Sequence, residues 1–494
     1  MATRDLLLGL DLGTSSLKGI FLNGNGEILA KHEIALATHR SSSHGEVAEQ
    51  NAHDYRDALV EFINVANKSH ELIGRVKAIG LSGHTPSLVP IDSNGEPTAP
   101  VMIWQDNRAS TEARALAERF GDPRKIIGTS LPWSPSTTAA KAFWLRKNSN
   151  ALVEKTRWLL QPKDYLGFLL TGAAISDPWS TKGLCNVRTQ QPLDEVLDFI
   201  GWSGDVVPEL RDGFASRGVT SEKCASAFGV PSGIPVSVGW SDAMCGMLAL
   251  GVFAKPTSFI ITGTSAIVGT STASAPEHDQ PLYLIPEGAA PNPVIFGPTQ
   301  MSGGSISWAA QLFGITENEF ISRGAANSSA QVPTYLPYIA GERAPLWRED
   351  IRGSYTNISI THDSSAFARA TMEGICFAER QVVELSQQLT KSNLYERDEI
   401  VISGKAGNDP RWLATRLRTM GRALRVVDDV EITCRGAAIL ADVIHTQNIS
   451  ASTAALSVSG NVVHPSNADR EYGNVNYQIF RAEQEALLAK TALR

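Results

Sequence analysis

Two short turns in this sequence share a pattern suited to anionic oxygen. The first is Asp11-Leu-Gly-Thr-Ser-Ser16 and the second is Thr262-Gly-Thr-Ser265; each lies between strand-like runs. Glycine lets the backbone approach closely, and Thr14, Ser15, Ser16 and Thr264 add hydroxyl donors to the turn's N–H groups. Such a nest fits phosphate oxygens. Taken singly, each turn reads equally well as a Thr/Ser-rich hairpin. Their recurrence about half a chain apart favours a duplicated phosphate cradle.

Shortly before the second turn, Gly239-Trp-Ser-Asp242 closes a β-branched run with one carboxylate. Phosphoryl transfer asks for one group to accept the proton of the attacking hydroxyl, and otherwise for positioning and charge neutralisation. Asp242 suits that task. Spacing alone would rather make it the cap of the small-residue helix expected over Ala243 to Leu250. Asp11, at the end of its strand, could hold Mg²⁺ directly or through water, because that ion keeps most of its waters and takes few carboxylates. Lys18 supplies a nearby cation. The sequence has no G-x-x-x-x-G-K-[ST], and no G-x-G-x-x-G follows a strand, which excludes P-loop and dinucleotide readings. The residues point to transfer of a phosphoryl group from a nucleotide to a small sugar or polyol.

The elements that must position these residues read as follows. Strands are expected over 5–11, 17–22 and 27–36, with the Asn23-Gly-Asn-Gly26 hairpin signal between the last two. A helix with apolar positions at Tyr55, Leu59, Phe62, Ile63 and Ala66 follows, then strands from Val76 to Leu81 and from Ser87 to Ile91. Helices are expected over 108–120, 139–147 and 153–172, the last closing at Gly172. The second half opens near residue 250 and reuses the plan: strands 258–261 and 266–270, helix 302–313, long helix 363–389, strand 399–403, helix 409–420, strand 423–427 and helix 433–446. Meandering strands followed by helix and strand are not the order of a doubly wound dinucleotide fold. Arg416, Arg418 and Arg422 read as a solvated helix face.

At 494 residues, two domains are expected, divided as 1–248 and 249–494. A formal charge of −7, spread over 44 basic and 51 acidic residues, leaves no basic tract for nucleic acid. The five cysteines are scattered without a C-x-x-C pair, which fits a reducing compartment. The apolar run Leu6 to Leu10 is too short for a signal peptide or membrane span. The expected location is the cytoplasm, without nucleic-acid or membrane partners. A homodimer is left open.

Beyond these readings, the chain resembles FGGY-type carbohydrate kinases. The likeness is carried, in order, by Asp11-Leu-Gly-Thr-Ser-Ser16, Trp104-Gln-Asp-Asn-Arg108, Gly239-Trp-Ser-Asp242, Gly263-Thr-Ser265 and Pro337-Tyr-Ile-Ala-Gly-Glu-Arg343, and further by Arg369-Ala-Thr-Met-Glu-Gly374 and Gly436-Ala-Ala438. Within that family it looks most like xylulokinases, on Ser82-Gly-His-Thr-Pro-Ser-Leu-Val89. The resemblance implies an α/β fold of two ribonuclease-H-like domains of the actin/hexokinase type with an interdomain cleft, and ATP with Mg²⁺. It gives Asp242 the base role, Asp11 the metal, and Thr14, Ser15, Ser16, Lys18, Gly263 and Thr264 the phosphates. Gly303 and Gly304 would approach the nucleotide, Gly404 and Lys405 would lie at the adenosine, and His84, Thr85, Trp104 and Asp106 would lie at the sugar.

Two departures shape the expectation. His84-Thr85-Pro86 stands where a xylulokinase-like loop shows Gln-Met-His, so ribulose, gluconate or a tetritol stay open beside xylulose. Gly404-Lys-Ala-Gly-Asn-Asp409 replaces a run of glycines, which keeps open a binding protein that senses sugar and nucleotide without turnover. An actin- or chaperone-like ATPase would need a polymer or peptide surface that the sequence does not display.

Overall fold

The run LLLGLDL offers apolar side chains to both faces of a sheet, and Leu6–Leu12 (β1) is buried at every position. The computed structural model describes residues 4–41, 47–276, 280–329, 331–391, 399–404, 407, 409–429 and 431–491. Ser16–Leu22 (β2) pairs antiparallel with β1, and Ile28–Ala35 (β3) pairs antiparallel with β2 at the edge. Ala52–His70 (α1), capped by the Asn51 side chain, buries Tyr55, Leu59, Phe62, Ile63 and Ala66, as its periodicity demands. Val76–Gly83 (β4) then returns parallel to β1.

Thr138–Asn148 (α2) and Pro162–Thr171 (α3) precede a strand pair, Ser216–Val219 (β5) and Pro235–Ser237 (β6), of which β6 runs parallel to β4. Trp240–Ser241 (β7) also pairs parallel with β4 and leads straight into Asp242–Ala249 (α4). The helix expected over 153–172 is thus only its second part; Trp158–Leu160 is a strand.

The plan recurs in the second sheet. Ser258–Thr262 (β8) and Ala266–Ser271 (β9) pair antiparallel, and Val294–Pro298 (β10) pairs antiparallel with β9. Gly303–Leu312 (α5) and Ser364–Leu389 (α6) follow. Ile400–Gly404 (β11) runs parallel to β8, and across Pro410–Met420 (α7) the chain reaches Leu424–Val426 (β12), parallel to β11. The strand order β3-β2-β1-β4-β6 in one sheet therefore matches β10-β9-β8-β11-β12 in the other.

Close approach explains where Ile432–Thr446 (α8) goes. A Cβ on Gly9 would lie 1.9 Å from the Cys434 carbonyl oxygen, and one on Gly80 would lie 1.6 Å from that of Ala437. The helix backbone rests directly on β1 and β4 at two residues that lack side chains. On its other flank, a Cβ on Gly436 would lie 1.9 Å from the Cys245 carbonyl oxygen of α4. By packing, the first unit is Met1–Ala254 with Ile285–Pro291 and Glu431–Ser457; the second is Lys255–Leu284 with Asn292–Val430 and Val458–Arg494. This division differs from the 248/249 break read along the sequence, because α8 lies late in the chain yet packs on the first sheet. After Asn461–Val463 (β13), Asn467–Thr491 (α9) completes the second unit, with only Gly473, Tyr477, Phe480 and Gln484 buried.

Candidate active site

Strand register gathers the site of the first unit. Asp11 pairs with Ser82, and Ser82 with Trp240; one residue further, Leu12 pairs with Gly83, and Gly83 with Ser241. Three parallel strands therefore end together: Asp11 lies in the last turn-side pair of β1, and His84 and Asp242 are the first residues beyond the other two. Carboxyl ends of parallel strands are where open α/β sheets bind ligands.

The carboxylate of Asp11 is nearly enclosed. Ser82 Oγ donates to its Oδ1 at 2.7 Å and Thr433 Oγ1, in the first turn of α8, donates to its Oδ2 at 3.1 Å. Burial raises its pKa, the two hydroxyls and Lys18 oppose that, and Glu431 adds to it. Asp242 is not the helix cap that its spacing suggested: Ser241 Oγ accepts the Met244 N–H at 3.4 Å, and Asp242 is the first helical residue. Its Oδ1 accepts the Ala243 N–H at 2.7 Å. Burial, and then the charge of Asp11, push its carboxyl up to about 7, against the pull of that N–H and of Lys182. A carboxyl poised there can gain and lose a proton near neutral pH.

His84 is buried and fixed by its backbone, whose N–H donates to Leu12 O at 3.0 Å. Its Nδ1 lies 2.9 Å from Ser87 Oγ, while its Nε2 has no partner among the described residues. Burial, aided by Lys141, pulls the ring down to about 3, so the imidazole is neutral. Lys141 on α2 is fully buried and donates to Pro86 O at 2.9 Å; burial pulls it down to about 7, with Asp106 raising it and Arg108 lowering it further. Thr85 is half-buried in the same loop. Trp104, 40% exposed, donates its indole N–H to Thr14 Oγ1 at 3.0 Å and so ties its own segment to the first turn.

Three expected site residues are committed elsewhere. Asp106 has no exposed surface: Oδ2 accepts the Ala48 N–H at 2.9 Å, and Oδ1 accepts Arg108 Nε at 3.0 Å. It holds Arg108, which also reaches Glu49 at 2.7 Å. Ser16 is buried and gives its hydroxyl to Glu33 at 2.7 Å. Lys18 lies 3.8 Å from Glu33 and 3.9 Å from Glu431, so its charge is spent on carboxylates of its own sheet edge and of the segment before α8. Thr14 and Ser15 remain accessible in the first turn.

In the second unit, Gly263, Thr264, Gly303, Gly304 and Gly404 converge. The Gly303 N–H donates to Gly263 O at 3.0 Å and the Gly304 N–H to Thr264 O at 3.0 Å, which seats the start of α5 on the exposed turn. A Cβ on Gly303 would lie 2.7 Å from Gly263 O. Gly404, at φ +99°, closes over Thr262, whose carbonyl oxygen a Cβ would approach to 2.1 Å. Lys405 lies outside the described residues. Arg416, expected on a solvated face, is buried against Glu379 at 3.3 Å.

Asp11 and Asp242 flank the end of β4 on its two sides, and the charge of Asp11 raises the cost of ionising Asp242, an arrangement that a divalent cation relieves. One or two carboxylates with phosphate oxygens is the donor set that suits Mg²⁺. The sequence reading missed Ser82, Thr433 and Lys182. Ser82 opens the Ser82–Val89 segment that carried the xylulokinase likeness; Thr433, 422 positions from Asp11, carried no signal.

Residues 6–249 match the N-terminal domain of the FGGY family of carbohydrate kinases, and residues 258–444 match its C-terminal domain. The chain belongs to that family. It is a phosphotransferase with an alcohol group as acceptor, and ATP is the co-substrate that membership implies. Its curated relatives include a xylulose kinase of Lactococcus lactis, 27% identical over 414 residues covering 81% of this chain and 80% of that protein. A gluconokinase of Bacillus subtilis is 24% identical over 450 residues, covering 88% and 86%. Among solved structures, xylulose kinase from Rhodospirillum rubrum superposes with a TM-score of 0.87 at 20% identity, covering 98% of this chain and 99% of that one. The two sheets with one strand order are the paired ribonuclease-H-like domains of the actin/hexokinase type. Among the described residues, no helix is long and apolar enough to cross a membrane.

Proposed function

We propose that this sugar kinase acts on a ketopentose such as xylulose, with Asp242 as the general base. The observation that carries the base assignment is its carboxyl, pushed up to about 7 by burial and by Asp11 where three parallel strands end. Asp242 takes the proton of the acceptor hydroxyl as that oxygen attacks the γ-phosphate. His84, through its unpartnered Nε2, and Thr85 hold other sugar oxygens, and Trp104 lines that side. Thr14 and Ser15 on one turn, with Gly263, Thr264, Gly303 and Gly304 at the other, hold the phosphates, and Gly404 leaves room for adenosine. Asp11 would hold Mg²⁺, which when bound neutralises charge on the phosphate oxygens.

Several curated relatives named xylulose kinases support the ketopentose. The relative named gluconokinase, with the altered His84-Thr85-Pro86 loop, supports a sugar acid as the second reading. The test is a panel of ketopentoses, sugar acids and polyols offered with ATP and Mg²⁺, with phosphorylated product counted. Xylulose is expected to give a kcat/KM at least about tenfold above gluconate or a tetritol. A preference for gluconate would replace the acceptor assignment. ATP binding without product from any acceptor would replace the kinase by a sensor.

A further inference from the structure

We propose that Lys182 binds the acceptor sugar: its ammonium donates hydrogen bonds to oxygens beside the hydroxyl that Asp242 deprotonates, and so helps to select the substrate. This rests on the kinase reading above. Lys182 sits on a loop held from below by buried charge. Lys163 and Asp177, both without exposed surface, pair at 2.8 Å, and Asp177 Oδ2 accepts the Ser180 N–H at 3.0 Å. Lys163 itself lies beneath the acceptor loop, since a Cβ on Gly83 would come within 3.2 Å of it. One ion pair thus fixes the loop carrying Lys182 relative to the loop carrying His84.

At its other side the Lys182 carbonyl accepts the Ala139 N–H at 3.4 Å, joining it to the helix whose Lys141 supports Pro86. The side chain lies over the Trp179 ring at 4.8 Å, which sets its direction. Its charge and that of Asp242 act on each other, yet among the described residues no carboxylate forms an ion pair with it. A half-buried ammonium left without a carboxylate is costly unless a ligand brings oxygens to it. The hydroxyl oxygens of a linear sugar that neighbour the reacting one are that ligand. Lys163 and Asp177 are positioning residues for this contact.

The test compares wild type, Lys182→Met and Lys182→Arg. Titration calorimetry with the preferred acceptor and separately with ATP should show acceptor binding weakened about ten- to hundredfold in Lys182→Met, while ATP binding stays within about twofold. Lys182→Arg should recover part of the loss. Against singly deoxygenated analogues, wild type should discriminate at one oxygen and Lys182→Met should not; that ratio of kcat/KM values is independent of how much of the variant folds. Unchanged acceptor binding and unchanged discrimination in Lys182→Met would overturn the proposal. An inactive wild type would instead overturn the kinase reading beneath it.

Discussion

The two Gly-Thr-Ser turns start from one backbone plan and end with different duties. Each joins antiparallel strands, β1 to β2 and β8 to β9, and each first strand has a parallel neighbour, β4 or β11. A Cβ on Gly13 would lie 3.3 Å from Ser16 O, and one on Gly263 would lie 3.3 Å from Ser265 O. The surroundings then diverge. Around the first turn the neighbours are polar side chains, one of them charged: Asp11 two residues before Gly13, Gln50 Nε2 donating to Thr14 O at 2.7 Å, and the Trp104 indole on Thr14. Around the second they are backbone: Ile261 stands where Asp11 does, and the N–H groups of Ser302, Gly303 and Gly304 bond the turn carbonyls. The first turn thus has the side chains that the proposed handling of proton and metal would use, and the second has the close backbone packing that the proposed nucleotide approach would use.

That contrast can be broken from either side. Removing the charge by Asp11→Asn should lower kcat about 10²-fold or more while ATP still binds, because charge at the reacting phosphate is lost and the fold is kept. A loss of only a few fold would erase the distinction between the turns. Filling the space by Gly303→Ala puts a methyl 2.7 Å from Gly263 O. It should raise the KM for ATP about tenfold and leave the acceptor KM nearly unchanged, since overpacking of this kind costs ~1–3 kcal/mol at the nucleotide side. Equal change in both KM values would place that turn elsewhere in the reaction.

The smallest effect is on stability. The Asp242 carboxyl ionises near 3.8 in an open chain and at about 7 when folded. Its contribution to stability is full below the open-chain value and is lost as pH rises through the folded one. Activity that needs the carboxylate rises over that range as stability falls. Asp242→Asn, which cannot ionise, should therefore unfold several degrees above wild type at mildly alkaline pH, the two converging towards the acid end, as seen by thermal denaturation.

Both sheets were legible in outline, because period and punctuation are local. The buried β1, the Asn23–Gly26 hairpin and the α1 stripe lie where expected. The meander followed by a parallel strand could be read in the first half, whereas β10 was not expected, and the β-branched run of β6 was read only as the approach to Asp242. α9 was missed because a 25-residue helix burying so few apolar side chains has a weak stripe. The site divides in the same way. The two turns drew notice by their recurrence, whereas Asp242, which spacing alone made a helix cap, was singled out by the family resemblance. Asp106, Ser16 and Lys18 carried the right chemistry but have neighbours distant in sequence, Ala48, Glu33 and Glu431, that consume it. Only packing shows that Thr433 reaches Asp11 and that Gly9 and Gly80 exist to seat α8.

The most direct test is the turnover of Asp242→Asn with ATP and the preferred sugar, with ATP affinity measured on the same sample. Loss of kcat by roughly 10²–10⁴-fold with nucleotide binding intact is the predicted result. A variant that still turns over at near the wild-type rate would contradict the assignment of the proton to this carboxylate, and with it the account of the site.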